Sequence, residues 1–129
     1  MAVEPSRGAQ AGVTRVFADI AVLRLTGSHY HSDSMEALGK ALLDADGKSQ
    51  SHVVVVDLSA VVLLSSTALR AMRSAHLALE ARGGRIVAAS GAELVRGVLK
   101  FAPFIMQYGS VLDALEAYSS EAAALYVEE

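Results

Sequence analysis

At 129 residues, 53% of them hydrophobic and none of them cysteine, the chain has the size and composition of one globular domain that needs no disulfide. A net charge of -3, with 11 Lys and Arg scattered singly, provides no basic stripe of the kind that grips nucleic acid. Apolar runs such as residues 60–64 are far short of the roughly 20 residues that span a bilayer, and residues 1–11 lack the apolar h-region of a signal peptide, so a cytoplasmic protein without membrane insertion is expected.

In chain order, residues 1–12 read as a flexible lead-in to a domain over 13–129. Near-alternation of apolar and β-branched residues predicts short strands at 14–19 and 20–26, as a hairpin whose Ala18-Asp19-Ile20 junction carries no strong turn signal. Ser32, Asp33 and Ser34 offer helix-capping oxygens, and Met35, Leu38, Ala41 and Leu42 recur at helical spacing. That helix is expected to end near Ala45, before an Asp46-Gly47 turn.

Four consecutive valines, Val53 to Val56, lie between His52 and Asp57 and predict a strand buried on both faces, as in a parallel sheet. Residues 59–64 read as a short apolar connection. Ser65-Ser66-Thr67 then opens a helix to about Ala81, with Leu69, Met72, Ala75 or His76, and Leu79 inward and Arg70, Arg73 and Glu80 solvated. Arg82-Gly83-Gly84 ends it. A strand at 85–89, a helix at 92–100, a short strand at 104–107 and a helix at 111–124 complete the chain. The Phe101-Ala102-Pro103-Phe104 segment between them reads as core closure. Strands alternating with helices imply βαβ units: an α/β domain with a mixed sheet of four to five strands and about four helices.

No catalytic constellation is evident. There is no Gly-x-Ser-x-Gly elbow and no Gly-rich phosphate loop, and Gly83-Gly84 follows a helix instead of preceding one. Asp57 has no acid–base partner nearby and reads as a strand-end or loop-capping residue. His29, His31 and Asp33 have side chains that suit zinc, but no further ligand set converges with them. Neither metal, cofactor nor enzymatic activity is therefore expected, and His52 and His76 read as ordinary strand-edge and helix residues.

The informative segment is the hydroxyl triplet. The first turn of a helix has unpaired N–H groups at the positive end of its dipole. A hydroxyl there can cap the helix, or carry a phosphoryl group that the same N–H groups would hold. Three adjacent hydroxyls exceed what one cap requires.

The frame around the triplet resembles the STAS family (the sulfate-transporter and anti-sigma-factor-antagonist domain). In that family a strand ending in Asp-Leu leads by a short hydrophobic connection to an Asp-Ser-Ser/Thr-Gly-Leu-like turn opening a helix. A Gly-Gly-Arg turn and another strand follow. The matching pieces here are Asp57-Leu58, residues 60–64, Ser65-Ser66-Thr67-Ala68-Leu69 and Gly83-Gly84-Arg85-Ile86-Val87.

The resemblance implies a bacterial anti-sigma-factor antagonist that binds an anti-sigma factor of serine-kinase fold and is phosphorylated by it. By position the acceptor is Ser66, flanked by Ser65 and Thr67. The implied partner-binding residues are Ser65, Ser66, Thr67, Leu69, Arg70, Arg73, His29, His31 and Asp57. Two positions depart from the pattern: Ser65 replaces the motif Asp, and Ala68 the Gly. The first keeps an alternative open, a constitutive scaffold subunit of a signalling or lipid-transport assembly that is never phosphorylated. The Ala-rich helices and Leu125-Tyr126-Val127 leave room for a homodimer.

Overall fold

A computed structural model describes residues 10–29 and 32–128. Five strands form one mixed sheet in the sequential order β1-β2-β3-β4-β5: β1 Gln10–Phe17, β2 Ile20–His29, β3 Val53–Leu64, β4 Arg85–Ala89 and β5 Met106–Tyr108. Only β1 runs antiparallel to its neighbour, and β2 through β5 are parallel. The described residues form five helices, three between strands, α1 Ser32–Gly47, α2 Ser66–Glu80 and α3 Glu93–Leu99, and two after β5, α4 Val111–Tyr118 and α5 Ser120–Val127. Of the expected lead-in over 1–12, residues 1–9 lie outside the described residues and 10–12 already belong to β1.

Period-two alternation along the strands builds two cores. Val54, Val56, Leu58, Ile86 and Ala88 face the layer of α1, α2 and α3. Val53, Val55, Val87 and Ala89 face the layer of α4 and α5, together with Phe17 and Ile20. The four valines that open β3, Val53 to Val56, are all buried, which is why its start reads as an unbroken apolar run.

Three elements differ from the sequence expectation. The final helix is two helices, because Ser119 adopts an extended backbone (φ -161, ψ 110) and its side chain accepts the Ala122 N–H as the N-cap of α5. That break makes the helix count five. Secondly, α1 continues through Asp46, whose buried carboxylate takes hydrogen bonds from His52 Nδ1 at 2.8 Å and from the Arg82 guanidinium. Thirdly, residues 59–64 are no connection but the second half of β3, paired with β2 as far as His29↔Leu64.

The β1–β2 hairpin turns at Ala18, which has φ 55, an uncommon value for a residue with a Cβ. The carbonyl of Asp19 accepts the hydroxyls of Ser49 (2.7 Å) and Ser51 (2.9 Å), so the turn is held from thirty residues away. Gly84 is needed for a different reason: a Cβ there would lie 1.9 Å from the His52 carbonyl oxygen, where Arg85 N–H bonds to the same oxygen. His76 is buried with Nδ1 accepting the Ile86 N–H at 3.1 Å, which ties α2 to β4. Across the other core, the Tyr108 hydroxyl meets that of Tyr118 at 3.1 Å; burial first and that contact second push the Tyr108 phenol up to about 12. Among the described residues, no helix is long and apolar enough to cross a membrane.

Candidate recognition site at the start of α2

Because β2 to β5 are parallel, the connections into α1, α2, α3 and α4 all leave the same edge of the sheet. The β3–α2 connection stands furthest out. Pairing between β3 and β4 ends at Asp57↔Ala89, while β3 runs on for seven residues alongside β2 alone. Two register shifts interrupt this extension, one between Arg24/Thr26 and one between Gly27/Ser28 on the β2 side. At the first, the Asp57 carboxylate accepts the Ser59 N–H at 3.0 Å and stabilises the irregular backbone. At the second, Val62 is the inserted residue, since Gly27 pairs with Val61 and Ser28 with Leu63. Val61 and Leu64 stay in the core, whereas Val62 (69% exposed) and Leu63 (45%) face solvent just before the helix.

The three hydroxyls then separate by role. Ser65 is the N-cap of α2 (φ -92, ψ 167), and its Oγ accepts the Ala68 N–H at 3.2 Å. The same Oγ lies 3.1 Å from Thr67 Oγ1, so the first and third hydroxyls are engaged with each other. Ser66 is the first residue of the helix, exposed, and its hydroxyl has no hydrogen bond to another described residue. Arg70 and Arg73 follow at i+4 and i+7, both exposed, on the same helix face as Ser66. The first turn of α2 contains no acidic residue. The unengaged hydroxyl therefore sits at the positive end of the helix dipole, with Arg70 one turn and Arg73 two turns further along the same face and no carboxylate in the first turn.

The structure brings together only part of the set expected from sequence. Ser65, Ser66, Thr67, Arg70 and Arg73 converge. Backbone pairing with Leu64 sets His29 beside the start of the turn, and His31 lies outside the described residues. Leu69, which helical spacing places inward and the resemblance places among the partner-binding residues, is 7% exposed and packs in the core, so it belongs to the buried stripe and not to the surface. Asp57, also expected there, is eight residues of extended chain before Ser65, a separation of roughly 25 Å at about 3.3 Å per residue. It supports the bulge instead. Val62 and Leu63 were missed by sequence reasoning, which had no signal separating them from the buried Val61 and Leu64 in the same apolar run.

Parallel strands that hand over to helices at one end of a mixed five-stranded sheet, with an exposed serine at the start of α2, place the chain in the α/β class. The family model for the STAS domain matches residues 13–105, and the chain belongs to that family. No curated protein matches the sequence. Among solved structures, the chain is similar to an anti-sigma factor antagonist from Mycobacterium paratuberculosis, with TM-score 0.73 and 19% identity over 89% of this chain and 97% of that one. It is also similar to the antagonist SpoIIAA in its unphosphorylated form, with TM-score 0.66 and 19% identity over 85% of this chain and 95% of that one. The phosphorylated form of the Bacillus SpoIIAA matches with TM-score 0.60 and 18% identity, over 85% of this chain and 98% of that one.

Proposed function

We propose that this protein is an anti-sigma-factor antagonist of the bacterial cytoplasm. It binds an anti-sigma factor of serine-kinase fold through the start of α2 and is released when Ser66 is phosphorylated. The observation that carries this reading is the division among the hydroxyls: Ser65 and Thr67 are engaged, and Ser66 is exposed without a hydrogen-bonding partner among the described residues. Solved forms of SpoIIAA with and without phosphate support it by analogy of fold. In this role the chain is a ligand and substrate, not an enzyme.

The chemistry follows from the position of Ser66. Its Oγ attacks the γ-phosphorus of a kinase-bound ATP; the Oγ–P bond forms as the bond to the ADP oxygen breaks, and the hydroxyl proton leaves to a base on the kinase. The product places about two negative charges between Val62, Leu63 and the partner, where desolvation and repulsion separate the pair. Within the chain those charges are tolerated, since the helix N–H groups and Arg70 lie beside them and position 65 has no carboxylate.

Calorimetry with candidate serine-kinase anti-sigma factors tests the reading. Wild type and Ser66→Ala are expected to bind one of them, and Ser66→Asp to bind roughly a hundredfold more weakly. Incubation of wild type with that kinase and ATP is expected to add one phosphoryl group at Ser66, seen by intact mass. The constitutive-scaffold reading, which Ser65 in place of the motif Asp favours, predicts a stable co-purifying partner, no mass change, and equal affinity of Ser66→Asp.

A further inference from the structure

A second exposed apolar surface lies on α3. Leu94 is 77% exposed and Phe101, one residue beyond Lys100 at the end of this helical segment, is 86% exposed. The sequence expectation that residues 101–104 close the core holds for Ala102, which is buried, and for Phe104, which packs on the His76 ring, but not for Phe101. Leu94, Gly97 and Phe101 follow one another at i, i+3 and i+7, so they form one stripe. They line a groove whose floor includes Val98 and Gln107.

Gly97 sits inside a helix, where glycine is a poor helix former. Nothing among the described residues asks for it. Its φ is not in the left-handed region, and a Cβ added there would meet no atom within 4 Å. A glycine in the middle of an exposed apolar stripe lets another backbone come close. The flanking charges say which. Glu93 stands at the start of the stripe and Lys100 at its end, both exposed and neither in an ion pair with another described residue. Turned end for end, the stripe complements itself: Glu93 meets Lys100, Leu94 meets Phe101, and the glycines face each other near the axis.

We infer that α3 is a homodimer contact, in which the α3 helices of two copies pack antiparallel about a two-fold axis. An interface of this kind is isologous, each favourable pair occurring twice. Arg96, beside Gly97 near the axis, is exposed, and in the dimer its guanidinium turns outward to solvent away from its counterpart. The occupant is a second copy because the stripe's charge order is self-complementary, which a surface built for an unrelated acidic or basic partner would not need to be.

Sedimentation velocity of the full chain over a concentration series tests this. Wild type is expected to show a monomer–dimer equilibrium. Glu93→Lys and Lys100→Glu each juxtapose like charges and are expected to weaken dimerisation by about tenfold or more, while the double swap restores it toward wild type. Gly97→Gln, which has open space in the monomer, and Phe101→Ser are expected to give monomers with unchanged thermal melting. A wild type that stays monomeric at its highest soluble concentration overturns the inference. So does a dimer that Phe101→Ser and Gly97→Gln leave intact, or a double swap no better than either single reversal.

Discussion

The Oγ of Ser65 accepts the Ala68 N–H, so Ser65→Ala leaves that donor to solvent and lowers stability by about 1 kcal/mol. Ser65→Asp caps equally well and places a carboxylate at the positive end of the helix, so its stability is expected to match wild type to within about 0.5 kcal/mol. Urea unfolding of the two variants checks both expectations; equal losses would mean that the cap geometry is not what stabilises the turn. Matching stabilities would mean that serine and aspartate at position 65 cap the helix equally and differ only in the charge set beside Ser66. On the proposed reading, modification of Ser66 depends on its exposed hydroxyl and on Arg70 one turn along the helix, not on the strength of the cap.

Among the elements, β3 has two halves with different surroundings. Val54 to Val56 are paired on both sides and fully buried; residues beyond Asp57 are paired with β2 alone and interrupted by two bulges. Hydrogen exchange is expected to be slowest at Val54, Val55 and Val56 and faster by orders of magnitude at Ala60 to Leu63. Uniform protection along the strand would contradict that division. The first half was legible in the sequence, since four valines between polar ends have few alternatives. The second was not: in residues 60–64 every side chain is apolar, so no period shows which ones a bulge turns outward. The break at Ser119 was hidden because apolar residues at helical spacing continue through it, and the hairpin turn because its support comes from Ser49 and Ser51. The start of α2 was legible as far as local sequence determines it. The outward places of Ser66, Arg70 and Arg73 and the inward place of Leu69 follow from helical spacing alone, while the distance of Asp57 depends on how far β3 runs beside β2.

At the scale of the molecule, the two ends of the sheet do different things. At the amino-terminal ends of the parallel strands, Asp46 is fully buried and bonded to His52 and Arg82, and Gly84 is pressed against the His52 carbonyl. At the carboxyl-terminal ends stand Val62, Leu63 and Ser66, exposed and with few internal obligations. Asp46→Asn is expected to lower stability by about 1–3 kcal/mol while leaving affinity for the anti-sigma factor unchanged. Ser66→Asp is expected to do the reverse, and the double variant to show both effects additively. Denaturant unfolding and calorimetry on the three variants measure this; a shift in affinity with Asp46→Asn would couple the two ends.

The overrun of β3 past β4 also bears on how such domains diversify. Its length fixes how far α2 starts above the common edge of the sheet, and each bulge is one residue more than β2 requires. Loss or gain of such a residue by deletion or insertion would move Ser66 by up to roughly 3 Å, with Val53 to Val56 left in register. Indels in this short stretch, and not only substitutions on α2, are then a route by which one ancestral domain acquires a new partner.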